Sequence, residues 1–589
     1  MNRVTLAVLS LVAMSVQLPA ANTPAWVARS NENALYVLKG FAHFGPEGVA
    51  SLGIDGFDDQ ILDLKPKIYE RSQEYTREVI KNLESRLANE KDPLVRQDLE
   101  ILIDSLQKNL HGSEVQHNYQ ISYSDLPQTV FTGIHALLDD QIAASRRPAA
   151  LIRLKKYVGL VDGYEPLSKL AEDRIRESLK RPGLVGPPKA EVEKNLANSA
   201  FFVNGIGQLF EKYKIEGYQE AFARLKDQLK EYDEFTKREI LPRARTDFRL
   251  PPALYSIQQE QVGVDVPPPE LAQKARAAFT EIQGQMQTIA GQMAKENGWS
   301  FSDYRDVIRQ LKKDQIVGDA IMEHYRKRLA QIEDIVRREH LVTLPDRPAI
   351  IRVASAAESA QQPAPHMQPP RLVGNTGERG EFVLPLNAPS TDGKLEKFDD
   401  FTFDAASWTL TAHEARPGHE LQFDSMVEHG VSLARAIFAF NSTNVEGWGL
   451  YAEWVMEPYL PPDGHLICLQ HRLMRAARAF LDPELHLGKI TPEEALRVLK
   501  QDVVISEPMA KQEVERYMYR MPAQATSYFY GYTRLLDLRK ETEKALGNKF
   551  NAQRFHDFIL SEGLLPPDLM RKAVMDDFVK PQLAGNSGL

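Results

Sequence analysis

The sequence of 589 residues contains a single cysteine, Cys468, and this scarcity excludes two kinds of structural support. The chain cannot form an internal disulfide, and it cannot hold zinc with a cluster of thiolates. Any metal must therefore be bound by histidines and carboxylates, with Cys468 as a remote alternative ligand. A buried small hydrophobic residue is the more ordinary role for such a cysteine.

An excess of positive charge is missing as well, because 72 lysines and arginines stand against 81 aspartates and glutamates. The net charge of −9 provides no basic field that would attract nucleic acid, so we expect no nucleic-acid partner. The sequence also has no C-x-x-C pair and no glycine-rich phosphate loop. After the N-terminal segment we find no stretch that is long and apolar enough to form a stable membrane span.

The N-terminal segment differs from the remainder of the chain. Arg3 precedes an apolar run over residues 4–16, and the small residues Ala20 and Ala21 follow it. This order predicts a secretory signal peptide over residues 1–21 and therefore a periplasmic or secreted protein. A short N-terminal helix or a membrane anchor is the alternative, although the run is short for a span of about 20 residues.

Helical periodicity dominates the sequence between residue 60 and residue 342. Val79, Ile80, Leu83 and Leu87 recur at spacings of three and four residues, which is typical of one face of a helix. We find no repeat of fixed period, and β patterns are sparse. The same periodicity predicts helices in segments 60–110, 148–182, 189–240, 268–297 and 302–342.

Residues 355–395 are rich in proline and cannot form a long helix. Residues 381–386 are a candidate for a short strand that a peptide substrate could extend, or for a surface loop or hairpin.

We therefore predict a mainly α fold with a few short strands near the active-site cleft. Residues 22–589 would form one large helical body, with an N-terminal helical part (22–350), a loop and short-strand segment (351–400) and a metal-site part (401–589).

A His-Glu pair followed by a second histidine is the most informative motif. In hydrolytic zinc sites such a histidine, here His413, binds the metal, and the following glutamate, here Glu414, takes a proton from metal-activated water. The second histidine, His419, lies six residues on, which is the wrong face of an uninterrupted helix. Pro417 breaks the helix and would allow convergence. Alternatively, residues 411–414 form a helix N-cap box, with Glu414 at its third position.

Glu446 is a candidate third ligand, because two histidines and a glutamate with one open position match catalytic zinc sites. Gly447 and Gly449 indicate close packing, which favours a buried Glu446 over a solvated carboxylate. Glu453 lies on the same helical face, about 10 Å along the axis, and is too far away to bind the same ion. We expect Glu453 to orient the substrate or to hold a free amine.

A further polar segment follows between residues 513 and 531. Arg516 could bind a carboxylate through two parallel hydrogen bonds, and Tyr528 could donate to a developing oxyanion. Gln524 lies between them and is assigned with Arg516 to substrate binding. Surface charge and core aromatics are the alternative explanation for these side chains.

Together these segments resemble the bacterial domain-of-unknown-function family 885. The resemblance is carried by His-Glu-Ala-x-Pro-Gly-His at residues 413–419, Glu-Gly-Trp-x-Leu-Tyr-x-Glu at 446–453 and Arg-Tyr followed by Pro-x-Gln-Ala-x-Ser-Tyr at 516–528. Segments 250–267 and 555–563 are also similar to the family. This chain departs from the pattern where Ala523 replaces a glycine and Phe529 replaces a lysine, and these changes affect the segment expected to line the substrate site.

The resemblance implies a zincin-like helical zinc hydrolase related to metallopeptidases. It implies that His413, His419 and Glu446 bind one zinc ion, although another divalent metal would also suit these ligands, and that Glu414 is the general base. We expect cleavage of peptide or other amide bonds, with Tyr528 assisting and with short peptides or chain ends as substrates. Two alternatives remain open, namely a zinc amidase acting on a non-peptide compound and a non-catalytic helical binding protein.

Overall fold

Helices form most of the computed structural model, which describes residues 24–389 and 395–585. The mainly α fold is thereby confirmed, while the predicted signal peptide lies outside the described residues. Two helices occupy the helical segment predicted over residues 60–110, and the second begins where Asp92 caps it and Pro93 takes its first position. The helices of the N-terminal part are α1 (Ala25–Phe41), α2 (Pro46–Leu52), α3 (Ile68–Asn89), α4 (Pro93–Tyr119), α5 (Leu126–His135), α6 (Ala149–Tyr157), α7 (Leu167–Leu179), α8 (Lys189–Lys212) and α9 (Gln219–Phe235).

Four more helices lead from the N-terminal part to the strands. The longest of them has 30 residues and packs along a helix of the C-terminal part, so that the largest apolar core lies between them. Among the described residues, no helix is both long enough and apolar enough to cross a membrane. The four helices are α10 (Pro252–Gln261), α11 (Pro268–Asn297), α12 (Tyr304–Leu311) and α13 (Ala320–Arg338).

The short-strand segment contains two small sheets and one short helix. The strand predicted from residue 381 is present, but it is the central strand of its sheet, with a parallel and an antiparallel neighbour. Both of its edges are therefore paired, and the antiparallel neighbour His366–Gln368 carries the outer edge. The elements are β1 (Ile350–Val353), α14 (Ala356–Gln361), β2 (His366–Gln368), β3 (Glu381–Leu384), β4 (Asn387–Pro389) and β5 (Leu395–Lys397), with β4 and β5 antiparallel.

Ten α-helices follow in the described residues of the C-terminal part. Two of them cross so closely that a Cβ added at Gly531 would lie 1.9 Å from the carbonyl oxygen of Thr443. Glycine is therefore required at this crossing. The helices are α15 (Asp404–Leu410), α16 (His419–Glu428), α17 (Ser442–Met456), α18 (Pro462–His486), α19 (Pro492–Arg497), α20 (Glu507–Glu515), α21 (Thr526–Leu546), α22 (Ala552–Ser561), α23 (Pro567–Ala573) and α24 (Lys580–Leu583).

Candidate metal centre

The His-Glu pair lies in a single π-helical turn, Thr411–Ala415, that continues directly from α15. Such wide turns are frequent at functional sites. Thr411 is inside the helical segment and its buried hydroxyl has no hydrogen-bond partner, so the N-cap box is not formed. Asp404, the first residue of α15, accepts a hydrogen bond from Arg328 at 2.7 Å.

The Pro417–Gly418 break starts a new helix, α16, whose first residue is His419. A Cβ added at Gly418 would lie 1.9 Å from the carbonyl oxygen of His413, so only glycine allows the chain to turn this tightly. The turn brings the two imidazoles together, with 3.1 Å between the Nε2 atoms of His413 and His419. The wider spacing of the two histidines is thus compensated by the break between them.

Glu446 completes a group of three candidate ligands. Its Oε2 lies 3.6 Å from Nε2 of His413 and 3.3 Å from Nε2 of His419. Ligand atoms bound to zinc at about 2.0–2.1 Å in a tetrahedral site are about 3.3 Å apart, so the observed separations suit one ion. The donor set of two imidazoles and one carboxylate, with one position left open, also suits a catalytic zinc ion.

The local charge also favours a cation. Burial opposes protonation of His413, but the carboxylates of Glu414, Glu446 and Glu453 outweigh it and raise the pKa of this imidazole to about 9. Burial likewise opposes ionisation of Glu446, yet hydrogen bonding to His413 and His419 lowers the pKa of Glu446 well below its usual value. A site with this surplus of negative charge attracts a divalent cation for the same electrostatic reason.

Glu446 is held in place by the crossing of α17 and α21. A Cβ at Gly447 would lie 2.6 Å from the backbone of Gly531, and a Cβ at Gly449 would lie 2.5 Å from Cε1 of His413. The indole of Trp448 donates a hydrogen bond to the carbonyl of Pro417 at 3.0 Å. In this segment Glu446 is the candidate ligand, and Gly449 leaves space for the imidazole of His413. Trp448 holds the chain at the Pro417–Gly418 break through its hydrogen bond.

Glu453 supports His413 from the side opposite the other ligands. Its Oε1 accepts a hydrogen bond from Nδ1 of His413 at 2.7 Å, and its Oε2 accepts one from the hydroxyl of Thr409 at 2.6 Å. The residue is 2% exposed and is not among the residues that line the cavity. This placement departs from the expectation that Glu453 holds a substrate amine, and it matches the carboxylate–histidine pairs that orient metal ligands.

The metal centre opens into a cavity of about 600 Å³. Glu414 lines this cavity, and its Oε1 lies 4.0 Å from Nε2 of His413. The cavity walls come from distant parts of the chain, since α2 and α5 contribute together with β2 and α18. A water molecule or a substrate carbonyl entering the open ligand position would therefore meet the carboxylate of Glu414.

The three remaining predicted residues form a chain of contacts beside the ligands. Tyr528 and Arg516 line the cavity. Nη2 of Arg516 donates a hydrogen bond to the phenolic oxygen of Tyr528 at 2.9 Å. Arg516 also donates to Gln524, whose amide lies 3.4 Å from Oε1 of Glu446. Gln524 is not among the cavity residues and contacts the ligand carboxylate, which departs from its expected role in substrate binding.

Three cavity residues on α18, namely His471, Arg475 and Arg478, were not expected from the sequence. Burial lowers the pKa of His471 to about 3, so this imidazole is neutral. The spacing of these residues at i, i+4 and i+7 would have shown that they share one face of the helix.

Comparison with known proteins assigns a family to the chain. The family model described as a bacterial protein of unknown function (DUF885) matches residues 46–574. No curated protein matches. A solved structure from Colwellia psychrerythraea, titled a "putative lipoprotein", has a TM-score of 0.73 and 18% identity over 93% of this chain and 98% of that one. A "putative lipoprotein of unknown function" from Shewanella oneidensis has a TM-score of 0.66 and 19% identity over 94% of this chain and 100% of that one. At these identities the two structures establish a shared fold alone.

Proposed function

The chain belongs to the DUF885 family of bacterial proteins, and we propose that it is a zinc-dependent hydrolase that cleaves peptide bonds. One observation carries the proposal, namely the convergence of His413, His419 and Glu446 beside Glu414 at the surface of a cavity. Zinc bound by these three residues would supply the Lewis acidity that lowers the pKa of a water molecule toward about 7.

We assign the role of general base to Glu414. Its carboxylate faces the cavity next to the ligands, where it can accept a proton from the attacking water. The same carboxyl group can then return the proton to the leaving nitrogen, so the peptide bond is broken without a separate acid. A positioned base of this kind contributes about 10²–10⁴-fold to the rate.

Tyr528 has the position of an oxyanion donor. Burial raises the pKa of its phenol, which keeps the hydroxyl protonated and able to donate. Arg516 donates to the phenolic oxygen, and this charge-assisted contact fixes the hydroxyl and strengthens it as a donor. The ring of Tyr528 is stacked on that of His413 with 6.4 Å between the ring centres, which places the phenol beside the metal ligands.

The dimensions of the cavity favour short substrates. A volume of about 600 Å³ lies within the range of about 300–1,000 Å³ that is typical of sites for small ligands. Helices of the N-terminal part contribute to its walls, so a folded protein would have to present an extended chain end. We therefore propose short peptides or chain ends as substrates.

The proposal is tested by metal analysis combined with peptide hydrolysis. We expect about one zinc ion per purified chain, and we expect cleavage of short peptides detected by mass spectrometry. Glu414→Gln should retain zinc and lose the activity, whereas His419→Ala should lose zinc. His429→Ala is the matched control, because this exposed histidine caps the end of the helix that begins with His419.

The same measurements separate the alternatives. Zinc with hydrolysis of non-peptide amides alone would indicate an amidase. A well-folded protein that never takes up a metal would refute the mechanism and favour a binding protein. Full activity of Glu414→Gln would refute the role of the base while leaving the metal site intact.

We also propose a location outside the cytoplasm, periplasmic or secreted. The pattern of residues 1–21 supports this proposal, and the two similar solved structures carry titles that name lipoproteins. Cell fractionation followed by N-terminal sequencing of the mature chain should find it in the envelope or the medium, without residues 1–21.

A further inference from the structure

We propose that Arg475, Arg478 and Arg516 form an arginine wall that binds the free C-terminal carboxylate of the substrate. This inference rests on the proposed peptide hydrolysis and names its substrate class, a short peptide with an unblocked C-terminus. The three side chains line the same cavity as the metal ligands. All three guanidinium groups lie within 6.0 Å of the ring centre of Tyr528.

The three arginines differ in how closely a carboxylate pairs with them. Arg478 forms a bidentate ion pair with Glu513, which accepts two parallel hydrogen bonds from it at 2.7 and 2.6 Å. Arg516 reaches the same carboxylate only at 3.6 Å, and Arg475 reaches Glu453 only at 3.5 Å. Only Arg478 therefore has a carboxylate at hydrogen-bonding distance, while Arg475 and Arg516 have carboxylates only at 3.5 and 3.6 Å.

Two nitrogen atoms of the arginine wall also lack hydrogen-bond partners. Arg475 is 4% exposed, yet its Nε has no hydrogen-bond partner, and the same is true of the Nε of Arg516. Buried polar groups are normally paired, so unpaired guanidinium donors beside a cavity indicate a ligand that completes them. A carboxylate matches the fork geometry of arginine and would supply acceptors for these donors.

The opposite anchor, a carboxylate for the amino end of a peptide, is less well supported. Both carboxylate oxygens of Glu453 already accept hydrogen bonds, from Thr409 and His413. Glu358 and Glu381, which also line the cavity, share an ion pair with Arg352 at 2.8 and 2.5 Å. These three carboxylates are therefore already paired, and Glu414 is assigned to proton transfer.

The distance between the arginine wall and the metal centre limits the length of the C-terminal fragment that hydrolysis would release. Nη2 of Arg475 and Nδ1 of His413 are at most about 6 Å apart, because they lie 3.5 and 2.7 Å from the same oxygen of Glu453. The imidazole and the metal bond add roughly 4 Å. A hydrogen bond of about 2.9 Å at one end and a metal bond of about 2.0 Å at the other take up about half of this span. The remainder holds one extended residue of about 3.3–3.6 Å. We expect the C-terminal amino acid to be the product.

The test measures binding to the full-length chain carrying Glu414→Gln and loaded with zinc. Isothermal titration calorimetry compares N-acetyl-trialanine with its C-terminal amide, a pair that differs only in the carboxylate. We expect the acid to bind at least about tenfold more tightly, since charge-assisted hydrogen bonds are lost in the amide. Arg475→Met and Arg516→Met should each reduce this preference. Arg520→Met is the matched control, because Arg520 follows Arg516 by one helical turn and does not line the cavity.

The outcomes separate this inference from the proposed function. Equal binding of acid and amide would overturn the arginine wall even if peptides are hydrolysed, and this comparison does not depend on the folding of the arginine variants. A preference for the acid in a chain that hydrolyses no peptide would refute the enzyme and support the wall. A preference that disappears when zinc is chelated but survives both arginine substitutions would show a carboxylate bound to the metal, which also overturns the inference.

Discussion

Glu453→Gln tests the assignment of Glu453 as a positioning residue for the metal ligand His413. The substitution preserves the size of the side chain and removes its charge. A hydrogen bond to a neutral oxygen is about half as strong as one to a carboxylate. The amide can also present its NH₂ group to Nδ1, which would place the imidazole proton on Nε2, the atom that faces the other ligands.

The expected loss follows from these contacts. Substitution of a residue that orients a metal-binding histidine typically weakens metal affinity by about 10–100-fold, or about 1.4–2.8 kcal/mol. Arg475 also loses its carboxylate partner at 3.5 Å, which adds a repulsive positive charge near the site. We therefore expect zinc affinity, measured by competition with a chromophoric chelator, to fall within this range.

Glu457→Gln is the matched control for this experiment. Glu457 lies one turn further along the chain and also accepts from a histidine, His465, at 2.8 Å and from an arginine, Arg472. It is not among the cavity residues, so its substitution should leave zinc affinity unchanged. Zinc affinity of Glu453→Gln within twofold of the parent chain, with unchanged circular dichroism, would refute the positioning role.

Three further substitutions probe the packing and the buried charge of the C-terminal part. Gly449→Ala should weaken zinc binding while the fold is retained, because the new methyl group would lie 2.5 Å from Cε1 of His413; chelator competition measures the loss. Gly531→Ala should destabilise the chain by about 1–3 kcal/mol through overpacking against Thr443, and a thermal midpoint equal to that of the parent would contradict the close crossing. Asp482→Asn should change the pH dependence of stability, because burial raises the pKa of Asp482 from 3.8 to about 7. The folded chain then retains a proton that the unfolded chain releases, so the contribution of Asp482 is complete below about pH 4 and is lost as the pH rises to about 7. Denaturant midpoints at pH 5 and pH 8 should therefore differ less in the variant than in the parent, and an equal difference would contradict a raised pKa.

The helices and the three candidate ligands could be predicted because their signals are local. The apolar spacing around Val79 and Leu83 follows from helix geometry alone. The convergence of His413, His419 and Glu446 could be anticipated because the proline break and the small residues beside Glu446 each have a direct steric meaning. These inferences need no knowledge of how distant helices pack.

The parts that the sequence did not predict depend on tertiary contacts. Glu453 was expected to act on the substrate, and nothing local shows that it meets Nδ1 of His413. The cavity is lined by α2 and α5, which precede the metal motif by more than 250 residues. His471 and Arg475 carried a usable signal in their spacing, but only the packing of α18 shows that this face borders the cavity.

The candidate metal ligands reach a familiar arrangement by an unusual local route. In the common helical form, two histidines four residues apart share one face of a continuous helix. Here the two additional residues are accommodated by the wide turn at residues 411–415 and by Gly418, so His413 ends one helical segment and His419 begins the next. A continuous helix would fix both rings through its backbone, whereas a broken one needs other constraints. Gly449 and Glu453 provide them for His413, which is why substitutions on α17 are expected to affect a ligand that lies on another segment.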